Sequence, residues 1–187
     1  MLTVPNLLTL LRLVLIPFFI YASMRAAFNV AFIIFVSAAV TDILDGFIAR
    51  RFNQRSRIGA LLDPAADKTM MICGYVFYTF DTTVPHRIPG WLTFTVFIRD
   101  FVIVIFAYLL YTRVQVKKFP PSWAGKVSTV LQASTLATTI AFNGFATWAR
   151  LLLEVLFRLT VVMTLFSGWD YLRRGRKLLD DGLRASA

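Results

Sequence analysis

Cysteine and histidine are almost absent from this chain. Its 187 residues include one cysteine, Cys73, and one histidine, His86. A disulfide framework needs paired cysteines, and the common zinc sites need several cysteine or histidine ligands. The composition therefore excludes both kinds of cross-link as the basis of the fold or of an active site.

Charged residues are also scarce. They make up 16% of the chain, whereas hydrophobic residues make up 58% and the mean hydropathy is +0.68. A soluble domain of this length would carry more charge and fewer continuous apolar stretches. Since a hydrocarbon core about 30 Å thick needs roughly 20 apolar residues per helix, the length accommodates six transmembrane helices. The predicted spans are 5–24, 27–49, 59–80, 91–112, 124–146 and 148–172.

The predicted fold is therefore an all-α, polytopic membrane protein. We assign residues 1–176 to a membrane domain and residues 177–187 to a basic cytoplasmic tail. From Arg173 onward the sequence is short, basic and amphipathic, which is typical of a segment that lies at the membrane interface. The break between the fifth and sixth spans rests on Asn143 and Gly144 and is the weakest of the predicted breaks.

Acidic residues are half as numerous as basic ones, and the basic residues are unevenly placed. The net charge of +10 comes from 20 lysines and arginines against 10 aspartates and glutamates. Most of the basic residues in the connections fall on one side of the predicted bundle, so the positive-inside rule places both termini in the cytoplasm. Nucleic-acid binding is excluded, because the chain has no soluble basic module interleaved with aromatic residues. The basic residues on the cytoplasmic side are Arg50, Arg51, Arg55, Arg57, Arg113, Lys117, Lys118, Arg173, Arg174, Arg176, Lys177 and Arg184. Those in the connections on the opposite side are Arg25, Arg87 and Arg150.

Four of the ten acidic residues lie close together in the sequence, inside predicted spans. Asp42 and Asp45 are three residues apart and share one face of the second helix. Asp63 and Asp67 are four residues apart and share a face of the third helix. The connection from Arg50 to Ile58 is short, so the four carboxylates are expected to converge at the cytoplasmic interface.

Four close carboxylates need a compensating positive charge. Oxygen ligands without histidine or cysteine favour a hard cation, so we predict Mg²⁺ or Mn²⁺. Four carboxylates are enough for two ions, an arrangement suited to phosphoryl displacement. The alternative is a set of structural ion pairs with Arg50, Arg51 and Lys68.

The aspartates belong to a longer pattern. Asp42, Asp45 and Gly46 are followed by Ala49-Arg50, then by Gly59, Asp63 and Asp67 at fixed spacing. This pattern resembles the signature of the CDP-alcohol phosphatidyltransferase family, whose fold is a six-helix membrane bundle of similar size. The resemblance covers nearly the whole chain.

The resemblance implies a reaction in which a second alcohol displaces CMP from CDP-diacylglycerol. It implies that Asp42, Asp45, Asp63 and Asp67 are metal ligands and that Asp67 is also the general base. Asp42, Gly46, Arg50 and Gly59 match the positions that bind the CDP group, where the glycines allow close approach to the backbone.

Two further stretches narrow the resemblance to the phosphatidylglycerophosphate synthase and cardiolipin synthase branch. They are Pro5-Asn6-Leu-Leu-Thr9-Leu-Leu-Arg12 and Gly125-Lys126-Val-Ser128-Thr129-Val-Leu-Gln132. An anionic acceptor needs fixed positive charge, and we predict that Arg99 and Lys126 bind its phosphate. Arg99 is expected to lack a carboxylate partner, because adjacent helical residues such as Asp100 point apart. The alternative for Lys126 is snorkelling to the interface.

The predicted acceptor is glycerol 3-phosphate. The alternative is phosphatidylglycerol, because the pair Arg99-Asp100 resembles the fourth span of cardiolipin synthases more closely. From a different class, a small transporter could use the intramembrane carboxylates as an ion path. The expected partners are CDP-diacylglycerol, an anionic alcohol acceptor and membrane phospholipids, with a homodimer as the candidate assembly. The expected location is the bacterial inner membrane, with the active site at the cytoplasmic face.

Overall fold

A computed structural model describes residues 4–51, 59–114 and 122–185 of the chain, with side chains described for 10–42, 68–109, 112 and 122–176. Within these ranges the protein is helical and contains no strand. The predicted helices are confirmed to within a few residues at nearly every end. They are α1 Val4–Met24, α2 Phe28–Arg51, α3 Gly59–Phe80, α4 Gly90–Val114, α5 Trp123–Gly144 and α6 Arg150–Ala185, and a short 3₁₀ turn, Thr147–Ala149, precedes α6.

The last helix differs most from the prediction. It continues without a break past the predicted end of the span at 172 and past the proposed domain limit at 176, to Ala185. Its 36 residues correspond to about 54 Å of helix, well beyond the roughly 20 residues that cross a bilayer. The basic segment stays helical because it consists mainly of leucine, arginine and lysine, which are good helix formers, and contains no proline.

The described residues fall into two compact units. The first comprises Met1–Ile88 and Leu136–Leu153, and the second comprises Pro89–Thr135 and Glu154–Ala187. Helices α5 and α6 each contribute to both units.

In the first unit, α1 packs against both α2 and α3. An aromatic cluster of Phe19, Phe28, Phe35 and Tyr78 fills the buried space. The ring of Phe19 lies 6.0 Å from Phe35 and 6.3 Å from Tyr78 between centroids. The Tyr78 hydroxyl is within hydrogen-bond distance of Ser23 Oγ, at 3.1 Å. The polar end of this buried tyrosine is thereby satisfied.

The end of α5 is attached to the loop between α3 and α4. Asn143 Oδ1 accepts a hydrogen bond from the backbone N–H of His86, and Asn143 Nδ2 donates to the His86 carbonyl oxygen, both at 2.9 Å. The His86 ring also meets Phe142 edge-on, with 4.5 Å between centroids. The weakly predicted break at Asn143 and Gly144 is therefore confirmed as the end of α5.

In the second unit, a buried row of polar side chains joins α5 to α6. Ser128 Oγ lies 3.2 Å from Thr164 Oγ1, and Gln132 Nε2 donates to Ser128 Oγ at 3.2 Å. One turn further along α5, Thr135 Oγ1 lies 2.7 Å from Thr160 Oγ1. Hydroxyl pairs of this kind stabilise helix contacts inside membranes, where water does not compete for the hydrogen bonds.

Two described segments, Gly90–Leu109 and Thr147–Arg176, are long and apolar enough to cross a membrane. Only 17% and 22% of these apolar windows are buried inside the protein, whereas the core helix of a soluble protein is mostly buried. Large apolar side chains such as Phe101, Val104, Leu151 and Val162 face outward, as they would toward lipid. The crossing of all six helices stays a prediction.

The turn after α1 generates a stability prediction. Ala26 has a φ of 54°, and the bonds from Ala26 N to Ser23 O and from Ala27 N to Ala22 O, both 3.0 Å, form a Schellman motif. Glycine suits this left-handed position better than alanine. Ala26→Gly should therefore stabilise the protein by up to about 1 kcal/mol, measured as a higher melting temperature in detergent.

The neighbouring variant Ala27→Gly is the control. Ala27 does not have a positive φ, so glycine there only increases the entropy of the unfolded chain and should lower the melting temperature. Equal effects of the two variants would contradict the role assigned to the left-handed backbone.

Candidate functional site

The aspartate motif lies on the second half of α2 and the first three turns of α3. The backbone at these positions is helical, so the spacings of three and four residues do place each pair of aspartates about one turn apart. Asp42 is the one member of the motif whose side chain is described. The side chains of Asp45, Arg50, Asp63 and Asp67, and the surroundings of Gly46 and Gly59, lie outside the described residues.

Asp42 forms an ion pair with Arg12 of α1. Arg12 Nη1 donates to Asp42 Oδ1 at 2.5 Å, and the Arg12 side chain is only 2% exposed, against 40% for Asp42. A buried guanidinium is costly unless it is paired, so this contact stabilises the packing of α1 on α2. It also fixes one oxygen of a carboxylate in the predicted metal site.

Arg12 was not assigned a role at the aspartate site from the sequence, which offered Arg50, Arg51 and Lys68 as neutralising groups. One signal did point to it: Arg12 is the one charged residue among the first 24. A lone charge in an apolar helix needs a partner, and a partner on a neighbouring span is the usual solution.

The chemistry of Asp42 fits a hard divalent cation. Arg12 engages one carboxylate oxygen, while the second receives no hydrogen bond from the described residues and the side chain is partly exposed. Oxygen ligands of this type suit Mg²⁺ and Mn²⁺. The described side chains contain no group of three or more candidate ligands; the other three predicted ligands lie outside them.

Arg99 of α4 occupies a second polar centre, in the second unit. Its side chain is 10% exposed, and Nη1 donates to Asp100 Oδ1 at 2.9 Å. Nη2 donates to Ser167 Oγ of α6 at 2.5 Å. The expectation that Arg99 lacks a carboxylate partner is therefore wrong. Neighbouring Cβ atoms do diverge on a helix, but the long arginine side chain curls back far enough to reach the adjacent carboxylate.

The surroundings of Arg99 come from three helices. A Cβ added at Gly125, in the first turn of α5, would lie 3.3 Å from Arg99 Nη2. The Tyr171 ring of α6 has its centroid 6.0 Å from Arg99 Cζ. The buried Nε of Arg99 has no hydrogen-bond partner among the described residues, so one donor remains for a ligand or a water molecule.

Lys126 follows Gly125 directly, so the structure brings the turn that carries Lys126 next to the Arg99 guanidinium. Lys126 is exposed, and among the described side chains none forms an ion pair with it. Among the described side chains, the carboxylate paired with these two cations is Asp100, which bonds to Arg99. An anion could therefore meet a net positive charge here, although the exposure of Lys126 is equally consistent with snorkelling.

Comparison with known proteins supplies independent information. The family model described as CDP-alcohol phosphatidyltransferase matches residues 2–166. The human cardiolipin synthase (CMP-forming) is 33% identical over 193 residues, which cover 94% of this chain and 62% of the human protein. The CDP-diacylglycerol–glycerol-3-phosphate 3-phosphatidyltransferase of Salmonella typhimurium is 36% identical over 184 residues, which cover 95% of this chain and 97% of that protein.

The two kinds of relative, cardiolipin synthases and glycerol-3-phosphate phosphatidyltransferases, differ in how much of their own length this chain covers. The chain spans 62% of the length of the human and rat proteins. It spans 97% of the length of the Salmonella typhimurium and Shigella flexneri proteins.

Two glycines beside Arg99 give a matched pair of variants. The new methyl group of Gly125→Ala would lie 3.3 Å from both Arg99 Nη2 and Ser122 Oγ, closer than ordinary contact, whereas that of Gly168→Ala would lie 3.6 Å from Arg99 Cγ. Gly125→Ala should therefore destabilise the protein by about 1–3 kcal/mol through overpacking. Gly168→Ala should be neutral or stabilising by about 0.5–1 kcal/mol, since alanine favours a helix.

Melting temperatures of both variants in detergent test this geometry. Both replacements are Gly→Ala within helices, so a general effect of helix propensity would shift the two melting temperatures alike. Identical shifts would show that Gly125 is not packed against the Arg99 guanidinium.

Proposed function

Because this chain belongs to the CDP-alcohol phosphatidyltransferase family, we propose that it transfers a phosphatidyl group from CDP-diacylglycerol to an alcohol acceptor and releases CMP. The observation that carries the proposal is the family match, which spans every residue of the aspartate motif between Asp42 and Asp67. Family membership makes the chain an enzyme and favours this interpretation over a transporter.

The acceptor we propose is glycerol 3-phosphate. Its support is the similarity to proteins named for that substrate, which extends over 97% of their length. The second candidate is phosphatidylglycerol, which would make the product cardiolipin. It is supported by the 33% identity to the human and rat cardiolipin synthases.

The proposed reaction breaks the phosphoanhydride bond of the donor's diphosphate and forms a phosphate ester bond to the acceptor. The acceptor hydroxyl oxygen bonds to the phosphorus of the phosphatidyl group, and the bond from that phosphorus to the CMP oxygen breaks. The hydroxyl proton passes to the carboxylate of Asp67, the proposed general base. The product is the phosphatidylated acceptor, and CMP leaves with the electron pair of the broken bond.

Asp42, Asp45, Asp63 and Asp67 are the residues that would hold Mg²⁺ or Mn²⁺. The ions, when bound, would neutralise charge on the diphosphate of the donor. Gly46, Gly59 and Arg50 are assigned to the CDP group from the motif. These assignments rest on the sequence signature, with the described chemistry of Asp42 in agreement.

Arg12 acts on this site through Asp42. By holding Asp42 Oδ1 it limits the rotation of the carboxylate and leaves the second oxygen available to a ligand. We therefore assign Arg12 as a positioning residue.

Arg99 and Lys126 are the proposed binding site for the phosphate of the acceptor. The proposal is supported by the burial of Arg99, by its unsatisfied Nε and by the closeness of Gly125. Asp100 and Ser167 each hold one terminal nitrogen of the guanidinium, so the group is oriented before any substrate arrives.

We place the enzyme in a membrane, with six spans, cytoplasmic termini and the aspartate motif at the cytoplasmic face of a bacterial inner membrane. The support is the apolar, outward-facing surface of the two candidate spans and the asymmetry of the basic residues.

The reaction is tested with purified protein, CDP-diacylglycerol, Mg²⁺ or Mn²⁺, and either glycerol 3-phosphate or phosphatidylglycerol. Wild type should release CMP and form phosphatidylglycerophosphate with the first acceptor. Asp63→Asn and Asp67→Asn should abolish CMP release because a ligand or the base is lost, while their melting temperatures stay near that of wild type.

The control is Asp81→Asn, outside the motif. Asp81 lies in the loop after α3, where hydrogen bonds from the side chain and the backbone of Thr83 lower its pKa, and its replacement should leave turnover unchanged. If the protein forms cardiolipin with phosphatidylglycerol but no product with glycerol 3-phosphate, the acceptor is phosphatidylglycerol and the proposed acceptor is wrong. No CMP release with any alcohol would refute the reaction itself.

The positioning role of Arg12 is tested with Arg12→Gln and Arg12→Lys. Loss of the contact to Asp42 should weaken apparent Mn²⁺ affinity and turnover by about 10–100-fold. Arg12→Lys should recover part of both, because an ammonium retains the charge without the planar geometry. Mn²⁺ affinity is measured as the metal-dependent rise in melting temperature without substrate.

Arg25→Gln is the control for this experiment, since it removes an exposed arginine just past the other end of α1. If Arg12→Gln melts at a lower temperature but keeps normal Mn²⁺ affinity and normal turnover, Arg12 has a structural role only.

A further inference from the structure

Helix α6 lines two adjoining grooves in the second unit. One groove, of about 290 Å³, runs between α4 and α6 and is lined largely by apolar side chains such as Ile98, Val102 and Leu165, and Arg99 also borders it. The other, of about 490 Å³, is lined in the described part by Trp169, Leu172, Arg173 and Arg176. Trp169 and Leu172 border both grooves, which we treat as one channel along the helix, mainly apolar at one end and basic at the other.

The basic end carries two arginines that are available to a ligand. Arg173 and Arg176 are exposed, and neither forms an ion pair with another described side chain. Their spacing of three residues, with Trp169 one turn earlier, places all three on one face of α6. The intervening Arg174 differs, because its Nε donates to Asp170 Oδ1 at 2.9 Å.

The position of this basic end matches a membrane interface. The apolar segment that can cross a membrane ends at Arg176. Tryptophan and arginine are common at this level, where the ring meets the headgroup region and the cation meets lipid phosphates.

We propose that the channel is a binding site for one anionic phospholipid. An acyl chain would lie in the apolar groove between α4 and α6, and the phosphate would contact Arg173 and Arg176 beside Trp169. A ligand that contacts both ends of the channel must have an apolar part and an anionic part. An apolar chain alone would not contact the arginines, and a free phosphate would not fill the apolar groove.

This site goes beyond the proposed reaction. The family match ends at residue 166, so Trp169, Arg173 and Arg176 lie outside the matched segment. Binding needs neither the aspartate motif nor a metal ion, and it can be measured in the absence of CDP-diacylglycerol. A negative result would therefore leave the proposed transferase reaction untouched.

The experiment is lipid titration of the purified full-length protein in detergent, followed by native mass spectrometry. Dioleoyl phosphatidylserine is the probe, because it is anionic and is neither donor, acceptor nor product of the proposed reaction. Wild type should bind it more tightly than dioleoyl phosphatidylcholine. Arg173→Gln and Arg176→Gln should each weaken phosphatidylserine binding by about fivefold, and the double variant by about 25-fold, with phosphatidylcholine binding unchanged.

Arg174→Gln is the matched control. It removes the same formal charge from the same helical turn, but on a residue held by Asp170, and should change binding little. Dihexanoyl phosphatidylserine tests the apolar end and should bind more weakly than the dioleoyl lipid. The proposal is overturned if Arg174→Gln weakens binding as much as the other variants, if the two headgroups bind equally, or if chain length has no effect.

Discussion

The ion pair between Arg12 and Asp42 joins the first helix to the helix that carries the aspartate motif. Both side chains come from helices that are largely apolar, and Arg12 is almost completely buried. A guanidinium in such surroundings is tolerated because a carboxylate neutralises it within hydrogen-bond distance. One contact thus satisfies a requirement of folding, the neutralisation of a buried charge, and fixes a residue on which the proposed chemistry depends.

Arg99 follows the same rule in the second unit. Its guanidinium is buried, bonded to Asp100 and Ser167 and bordered by Gly125. The contacts hold the group in place while leaving Nε unsatisfied. In both units a buried cation is therefore oriented by a carboxylate partner.

Much of this arrangement could be predicted from the sequence, because apolar length and polar breaks determine where helices occur. Asn143 and Gly144 correctly predicted the end of α5, although they were the weakest of the predicted breaks. The end of α6 could not be predicted. A change from apolar to basic residues marks where a helix leaves the membrane for water, but it does not interrupt the helix. The Arg99–Asp100 contact was missed because Cβ direction is a poor guide for a side chain as long as arginine. Arg12 could be recognised as a lone intramembrane charge, but its partner lies 30 residues away and depends on how α1 packs against α2.

The attachment of Asn143 to His86 has a consequence of its own. The side-chain amide bonds to the N–H and the carbonyl of the same residue, as a neighbouring peptide group would. The imidazole takes no part in either bond. No formal charge is involved, and mobile ions therefore have nothing to screen. This joint should keep its geometry through changes of ionic strength that would alter the pairing of exposed charged groups elsewhere in the chain.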